Sequence, residues 1–239
     1  ATQTEVEEQV DLMYSLIHQQ VDAIVLVPID SKALVQPVVE AVRKGVPVIN
    51  IDIRLDTQLL EQAGVEVAFV GPDNFAAAYE VGKLLGKKLR NEDKVAIIEG
   101  LAAADNARQR KRGFIKAIEE KGLRLVASEP ADWETEKAAE VFQAMWMRYP
   151  DLKAVYCSND AMALGVLQQM QEKKCYLPVV GFDNDAVMKE FLSTGKLVAT
   201  ADIFSSQMAV RGIEFALDVL EGRIENRGVH STAYEIIKQ

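Results

Sequence analysis

Short apolar runs rich in β-branched residues alternate along this chain with longer stretches that have helical spacing. Nearly all of the short runs are continuously apolar, as expected for strands covered by helices on both faces. This alternation predicts an α/β fold built on doubly wound parallel sheets. The predicted strands are Ala23–Val27, Val46–Ile51, Val67–Val70, Val95–Glu99, Leu125–Ala127, Ala154–Cys157, Val179–Phe182 and Leu197–Ala201.

Apolar residues at helical spacing fill most of the intervals between these strands. The predicted helices are residues 6–17 and 78–89, Asn106–Lys121, Glu134–Arg148, Asp160–Glu172, Asp185–Ser193 and Ser205–Glu221. Four aspartates stand at positions typical of helix starts, where a carboxylate accepts hydrogen bonds from the first-turn N–H groups. We interpret these as helix caps rather than ligand contacts: Asp30, Asp73, Asp160 and Asp185.

The composition narrows the function classes. The chain has 239 residues and a net charge of −9, from 27 basic and 36 acidic side chains, so nucleic acid is not expected as a partner. No apolar run approaches the roughly 20 residues of a membrane span.

Cys157 and Cys175 lack CxxC spacing and are interpreted as ordinary thiols. No HExxH, GxSxG or GxGxxG motif occurs, so no metal, cofactor or catalysis is predicted.

Few strands are predicted in the N-terminal part of the chain. Only three are predicted before residue 73, and a sheet that small gives its helices little to pack against. We therefore expect the first α/β portion of the chain to be incomplete, lacking an N-terminal strand–helix–strand segment.

Polar side chains follow nearly every predicted strand, and in open α/β sheets ligands bind beyond the carboxyl ends of the strands. Carboxylates accept hydrogen bonds and amides or guanidinium groups donate them, whereas an aromatic face covers C–H surface; together these suit a neutral polyhydroxy ligand. Phosphate fits badly because no Gly-rich loop follows a strand. The residues at these positions include Asp52, Arg54, Asn106, Arg108, Trp133, Asn159, Asp183 and Asp202.

Two of these residues stand out as ligand contacts. Arg108 lies at the start of its helix, near the strand end, whereas Arg110, Lys111 and Arg112 are interpreted as solvated surface. Trp133 follows a strand rather than lying on an apolar helical stripe, so we expect it to cover a ligand ring.

The residues also show a family resemblance. The run SNDAMALGVLQQMQ (158–171), followed by PVVGFDNDA (178–186), resembles the sugar-binding proteins of bacterial importers, of the ribose-binding periplasmic type. Earlier segments agree in order, among them VDAIVLVPIDSKAL, GVPVINIDIRLD and EPADWETEKAAE. The resemblance covers essentially the whole chain, although its GFDN and NDAMALG elements are shared with repressors of the lactose-repressor type.

This resemblance implies two doubly wound lobes joined by a hinge that closes on a sugar. The N-terminal lobe would hold residues 1–72 and 204–232, and the C-terminal lobe residues 73–203 and 233–239. The implied function is that of a solute-binding protein of an ABC-type importer, with no catalysis. It would bind a small neutral sugar or polyol between the lobes and present the closed form to a membrane permease. The implied location is periplasmic, or extracellular and membrane-associated.

The resemblance also assigns roles to individual residues. It implies a hydroxyl acceptor at Asp52, a clamp at Arg108 and a stacking ring at Trp133. Hydroxyl partners in the second lobe would be Asn159 and Asp183, and the neighbours of the site would be Asn106 and Phe182. Three positions depart from the ribose-type pattern and count against ribose itself, namely Val27, Ile53 and Ile203.

Two alternatives remain open at this point. The chain could be the effector-binding domain of a sugar-responsive repressor without its DNA-binding headpiece, but it has no helix-turn-helix. It could also be a glycosidase that uses Asp52 and Asp183 as acid and base, but nothing in the sequence marks either carboxyl as a proton donor.

Overall fold

The computed structural model describes residues 5–239, which contain nine helices and ten strands. The strands are β1 (Ile24–Leu26), β2 (Val48–Ile51), β3 (Phe69–Pro72), β4 (Lys94–Glu99), β5 (Arg124–Pro130), β6 (Ala154–Cys157), β7 (Val179–Val180), β8 (Leu197–Asp202), β9 (Val229–Thr232) and β10 (Glu235–Lys238). The helices are α1 (Val6–His18), α2 (Val35–Arg43), α3 (Thr57–Gln62), α4 (Asn74–Gly86), α5 (Asp105–Lys121), α6 (Thr135–Arg148), α7 (Asp160–Glu172), α8 (Met188–Ser193) and α9 (Ser205–Leu220).

The chain separates into two compact units. The first comprises the described chain up to Pro72, the short segment Ala103–Asn106 and Phe204–Ala233. The second comprises Asp73–Ala102, Ala107–Ile203 and Tyr234–Gln239.

A parallel sheet with strand order β1-β2-β3-β9 forms the centre of the first unit. Side chains of β2 alternate between two apolar clusters: Val48 packs among residues of α1–α3, whereas Ile49 and Ile51 pack toward α9. Gly212 lets α9 lie close to the sheet, since a Cβ there would come within 2.8 Å of Ile51 Cγ2. Every residue of β2 is buried because helices cover both faces.

A six-stranded sheet with order β10-β8-β7-β6-β4-β5 forms the centre of the second unit. Its strands are parallel except β10, which pairs antiparallel with β8. The chain runs from β4 outward to β5 and then returns to β6, so the strand order reverses between β4 and β6. Such a switch point opens a crevice at the carboxyl ends of the strands, where α/β proteins bind ligands.

The α/β fold with doubly wound parallel sheets is confirmed, and each of the eight predicted strands is present, with some shifts at the ends. The predicted helices and strands did not include α2, α3, β9 or β10. The predicted helix from Asp185 begins only at Met188, because the residues before it form the loop after β7.

Of the four predicted aspartate caps, only Asp73 caps a helix in the structure. Asp73 caps α4 by accepting from Ala76 N–H at 2.9 Å, as expected. The prediction for Asp160 is wrong, because Asn159 caps α7 through its Oδ1 and leaves Asp160 buried at the first helical position. Asp185 lies in the loop before α8 and does not cap that helix. Asp30 caps a turn before α2, with Oδ1 accepting from Lys32 and Ala33 N–H.

Candidate functional site

The carboxyl ends of the strands in the second unit bring several chemically distinct side chains toward the switch point. Trp133 follows β5, Asn159 follows β6, and Phe182 and Asp183 follow β7. The helix α5, which follows β4, contributes Arg108 and Arg110.

Arg110 connects these strand ends. It is only 2% exposed, and its Nε donates to Asn74 Oδ1 at 2.9 Å. Its Nη1 donates to the Ser158 carbonyl at 2.8 Å and lies 3.3 Å from Asp183 Oδ1. The guanidinium carbon is 3.7 Å from the centre of the Phe182 ring and 5.6 Å from that of Trp133. Arg110 therefore holds the residues after β5, β6 and β7 in one arrangement.

The interpretation of Arg110 as solvated surface is wrong. Its helical position shows why: Arg110 lies three residues after Ala107 and four before Phe114, both of which are buried. Residues at this spacing share one helix face, so Arg110 is on the buried stripe of α5. The helical period applied to residues 106–121 could have identified it. Arg112 is exposed and Lys111 is partly exposed; Lys111 pairs with Glu99 at 2.7 Å.

Arg108 is half-buried at the start of α5, where its Nη1 donates to the Ala102 carbonyl at 3.0 Å. This bond fixes one end of the guanidinium fork, which has five N–H donors in all. Its role as a clamp stays a prediction.

Trp133 packs closely against the backbone of Gly100, the residue after β4. A Cβ on Gly100 would overlap the six-membered ring of the indole, so only glycine allows this approach. The indole Nε1 is buried, and no side chain or backbone group among the described residues accepts a hydrogen bond from it. Lys137 pairs with Asp132, the residue before Trp133, and so ties this loop to α6.

Backbone conformations after the strands are unusual. Six residues other than glycine that follow a strand have positive φ, a region that L-residues avoid. They are Asp52, Asp132, Trp133, Asp183, Asn184 and Phe204, and the largest value is 108° at Asp183. Such conformations are found at functional sites, where the surrounding structure compensates for their cost.

Asp160 is a buried carboxyl beneath the loop that follows β7. Its carboxylate accepts hydrogen bonds from the Thr200 hydroxyl at 2.9 Å and from Asp185 N–H at 2.9 Å. Burial raises its pKa to about 7, and the nearby carboxylates of Asp183 and Asp185 act in the same direction, whereas its two hydrogen bonds oppose them. Asp160 therefore carries an unusually basic carboxyl for its residue type.

The first unit presents Asp52 directly after β2, with φ of 62° and its N–H donating to the Val70 carbonyl at 3.1 Å. The loop after Asp52 is shaped by Asn50, which is 1% exposed. Its Nδ2 donates to the Ile53 carbonyl at 2.8 Å and its Oδ1 accepts from Leu55 N–H at 2.9 Å. Asn106, 5% exposed, also belongs to this unit.

The positions that depart from the ribose-type pattern differ in exposure. Val27 is 40% exposed, whereas Ile53 and Ile203 are each 4% exposed. Ile53 lies next to Asp52, where an apolar side chain provides no hydrogen bond to a ligand.

Across residues 5–239, no cluster of three or more His, Cys, Asp or Glu side chains could hold a metal ion. In the same part of the chain, no helix has the length and apolar character needed to cross a membrane.

Comparison with known proteins identifies the family of this chain. Residues 1–224 match the periplasmic binding protein domain. The D-ribose/D-allose-binding protein of Pseudomonas aeruginosa is 40% identical over 240 residues, covering 98% of this chain and 75% of that protein. A solved ABC transporter solute-binding protein from Burkholderia multivorans is 39% identical with a TM-score of 0.95, covering 99% of this chain and 84% of that one.

A second solved structure holds a sugar. It is an ABC transporter periplasmic solute-binding protein from Actinobacillus succinogenes 130z with bound D-allose. It is 32% identical, with a TM-score of 0.91 and coverage of 98% of this chain and 84% of that one. The chain therefore belongs to the periplasmic binding protein family.

Proposed function

We propose that this chain is the solute-binding component of an ABC-type importer for a neutral monosaccharide or a related polyol. The observation that carries the proposal is the cluster around Arg110 in the second unit. There, two aromatic rings and a carboxylate meet at the switch point of the sheet. Relatives that carry the names of ribose- and allose-binding proteins support the same chemistry.

The proposed contacts follow from the hydrogen bonds that a sugar hydroxyl donates and accepts. Each hydroxyl donates one hydrogen bond and accepts others, so it pairs well with a carboxylate and an amide or guanidinium together. Asp183 would accept from a hydroxyl while its Oδ1 stays near Arg110. Asn159 would donate through Nδ2, because its Oδ1 is occupied by Met162 N–H at 2.9 Å. Arg108 would donate to a hydroxyl through its guanidinium group.

Aromatic side chains would complete the contact with the sugar. Trp133 offers an indole face for the C–H surface of a sugar ring and an N–H that can donate to a ring or hydroxyl oxygen. Phe182 is buried and stacks on Arg110, so its proposed part is to hold that guanidinium in place. We propose Asp52 and Asn106 of the first unit as further hydroxyl partners.

The cellular role follows from the family. We propose that the protein works outside the cytoplasm, in the periplasm or at the outer face of the membrane. Its second partner would be the membrane permease of the importer, which would receive the sugar-bound form. The arrangement calls for no metal or cofactor.

Thermal unfolding with and without sugars tests the proposal. A ligand that binds only the folded state stabilises it by about 2.7 kcal/mol at a concentration of 100 Kd. The chain would be melted alone and with neutral pentoses, hexoses and polyols, including D-ribose, D-allose and xylitol. The proposal expects a raised melting temperature with one or a few members of this panel. No shift with any of them at millimolar concentration would contradict it.

A further inference from the structure

The loop at residues 182–185 carries two consecutive residues in unfavourable backbone conformations. Asp183 has φ of 108° and Asn184 has φ of 59°. Neither is a glycine, so the surrounding structure must hold the loop in this shape. The loop begins at Phe182, which stacks on Arg110, and includes Asp183, the proposed hydroxyl acceptor.

Asp160 contacts this loop on both sides of the unusual residues. Its backbone N–H donates to the Phe182 carbonyl at 2.7 Å. Its Oδ2 accepts from Asp185 N–H at 2.9 Å. Asp160 is fully buried, and a Cβ on Gly181 would overlap its Oδ1, so glycine at 181 leaves room for the carboxylate.

Thr200 provides the third point of support. Its hydroxyl lies 2.9 Å from Asp160 Oδ1 and 3.2 Å from the Asn184 nitrogen. A hydroxyl has one hydrogen, which goes to the carboxylate, so its oxygen is free to accept from Asn184 N–H. Thr200 is also fully buried, in β8. The carboxylate and the hydroxyl thus fix the amides of two successive loop residues.

We infer that Asp160 and Thr200 are positioning residues, which hold residues 182–185 in the conformation that presents Asp183 to a sugar. Both are fully buried, and they act through the loop rather than by touching the ligand. The inference deepens the proposed function and rests on it for its effect on sugar affinity. The support of the loop itself can be measured without any ligand.

The test compares Thr200→Val, which removes the hydroxyl at nearly constant volume, with Thr200→Ser, which keeps it. Thr194→Val is the matched control, because Thr194 is exposed and its hydroxyl donates to carbonyls of its own helix end. Amide hydrogen exchange of Asn184 and Asp185 would be measured by NMR in the sugar-free protein. D-Allose and D-ribose affinity would be measured by calorimetry.

In Thr200→Val, we expect Asn184 N–H to exchange at least about tenfold faster and sugar affinity to fall about fivefold or more. Thr200→Ser should restore both, and Thr194→Val should change neither. If Thr200→Val fails to fold, Asp160→Asn replaces it. That variant leaves one acceptor oxygen for two donors, so exchange at Asn184 or Asp185 must still increase.

Unchanged exchange and affinity in a folded Thr200→Val would overturn the inference. A lowered melting temperature with unchanged loop exchange would also overturn it, because Thr200 would then only stabilise the sheet. If the wild-type chain binds no sugar or polyol of the panel, the proposed function loses its support, but the exchange measurement still decides whether Asp160 and Thr200 support the loop.

Discussion

The guanidinium of Arg110 stacks on the ring of Phe182 at 3.7 Å and approaches Oδ1 of Asp183 at 3.3 Å. Two successive residues of one loop are thus held by a single side chain from α5. Because that side chain is only 3% exposed, its charge is balanced almost entirely by the protein itself.

Arg110→Lys tests how much this arrangement stabilises the fold. An ammonium cannot reproduce two directed hydrogen bonds and a planar stack at once, so partners of the guanidinium lose their bonds. We expect the free energy of unfolding to fall by about 2–4 kcal/mol. The exposed Arg112→Lys on the same helix should change it by less than about 0.5 kcal/mol. Urea denaturation measures both, and equal effects would show that Arg110 has no special role.

Gly100→Ala should displace Trp133. The added methyl group would overlap the indole ring, so the ring must move away from the end of β4. In a Trp146→Phe background, Trp133 is the only tryptophan, and its fluorescence maximum should shift.

Gly86→Ala is the matched control for that substitution, since its Cβ would meet Lys121 Cγ at an ordinary 3.4 Å. We expect sugar affinity to fall about tenfold or more for Gly100→Ala and to be unchanged for Gly86→Ala. An unchanged emission maximum and affinity in Gly100→Ala would remove Trp133 from the proposed site.

Asp160→Asn should change how stability depends on pH. The pKa of Asp160 rises from an ordinary 3.8 to about 7 in the folded protein, through burial first and then the facing carboxylates of Asp183 and Asp185. The folded state therefore holds this proton more tightly than the unfolded chain. Its contribution to stability is fully present below about pH 4 and is lost as pH rises to about 7.

The loss amounts to at most about 4 kcal/mol, and the asparagine amide of the variant cannot ionise, so the variant should lack this part of the decline. Denaturation at pH 4 to 8 measures it. Asp151→Asn serves as the control of opposite sign, because pairing with Lys94 lowers the pKa of Asp151. Parallel pH profiles for wild type and Asp160→Asn would show that Asp160 titrates normally.

Much of the fold could be predicted from the sequence because strands covered on both faces, such as β2 and β6, are continuously apolar or nearly so. For these strands, the short continuous apolar run was sufficient to predict the element. In contrast, α3 is only six residues long and β9 is mostly exposed, so neither has enough apolar pattern to be recognised.

The candidate site was only partly predictable. The residues that directly follow the predicted strands could be identified as site candidates, because parallel strands end at one edge of the sheet. The buried contacts that hold these residues in place could not be predicted in this way. Arg110 and Asp160 are charged residues that native folds bury only when paired, so a composition-based reading assigns the first to the surface and the second to a helix cap. Their partners come from other elements: Asn74 from α4 and Thr200 from β8.

Calorimetric titration of D-allose and D-ribose into the wild-type chain, Asp183→Asn and Asp151→Asn tests the central claim most directly. We expect saturable binding of at least one sugar to the wild type and to Asp151→Asn. In Asp183→Asn the affinity should fall about tenfold or more, because an amide cannot accept a hydroxyl hydrogen bond as strongly as a carboxylate does. Equal affinity in all three proteins, or no binding of any sugar or polyol of the panel to the wild type, would contradict the account of a sugar site at the ends of these strands.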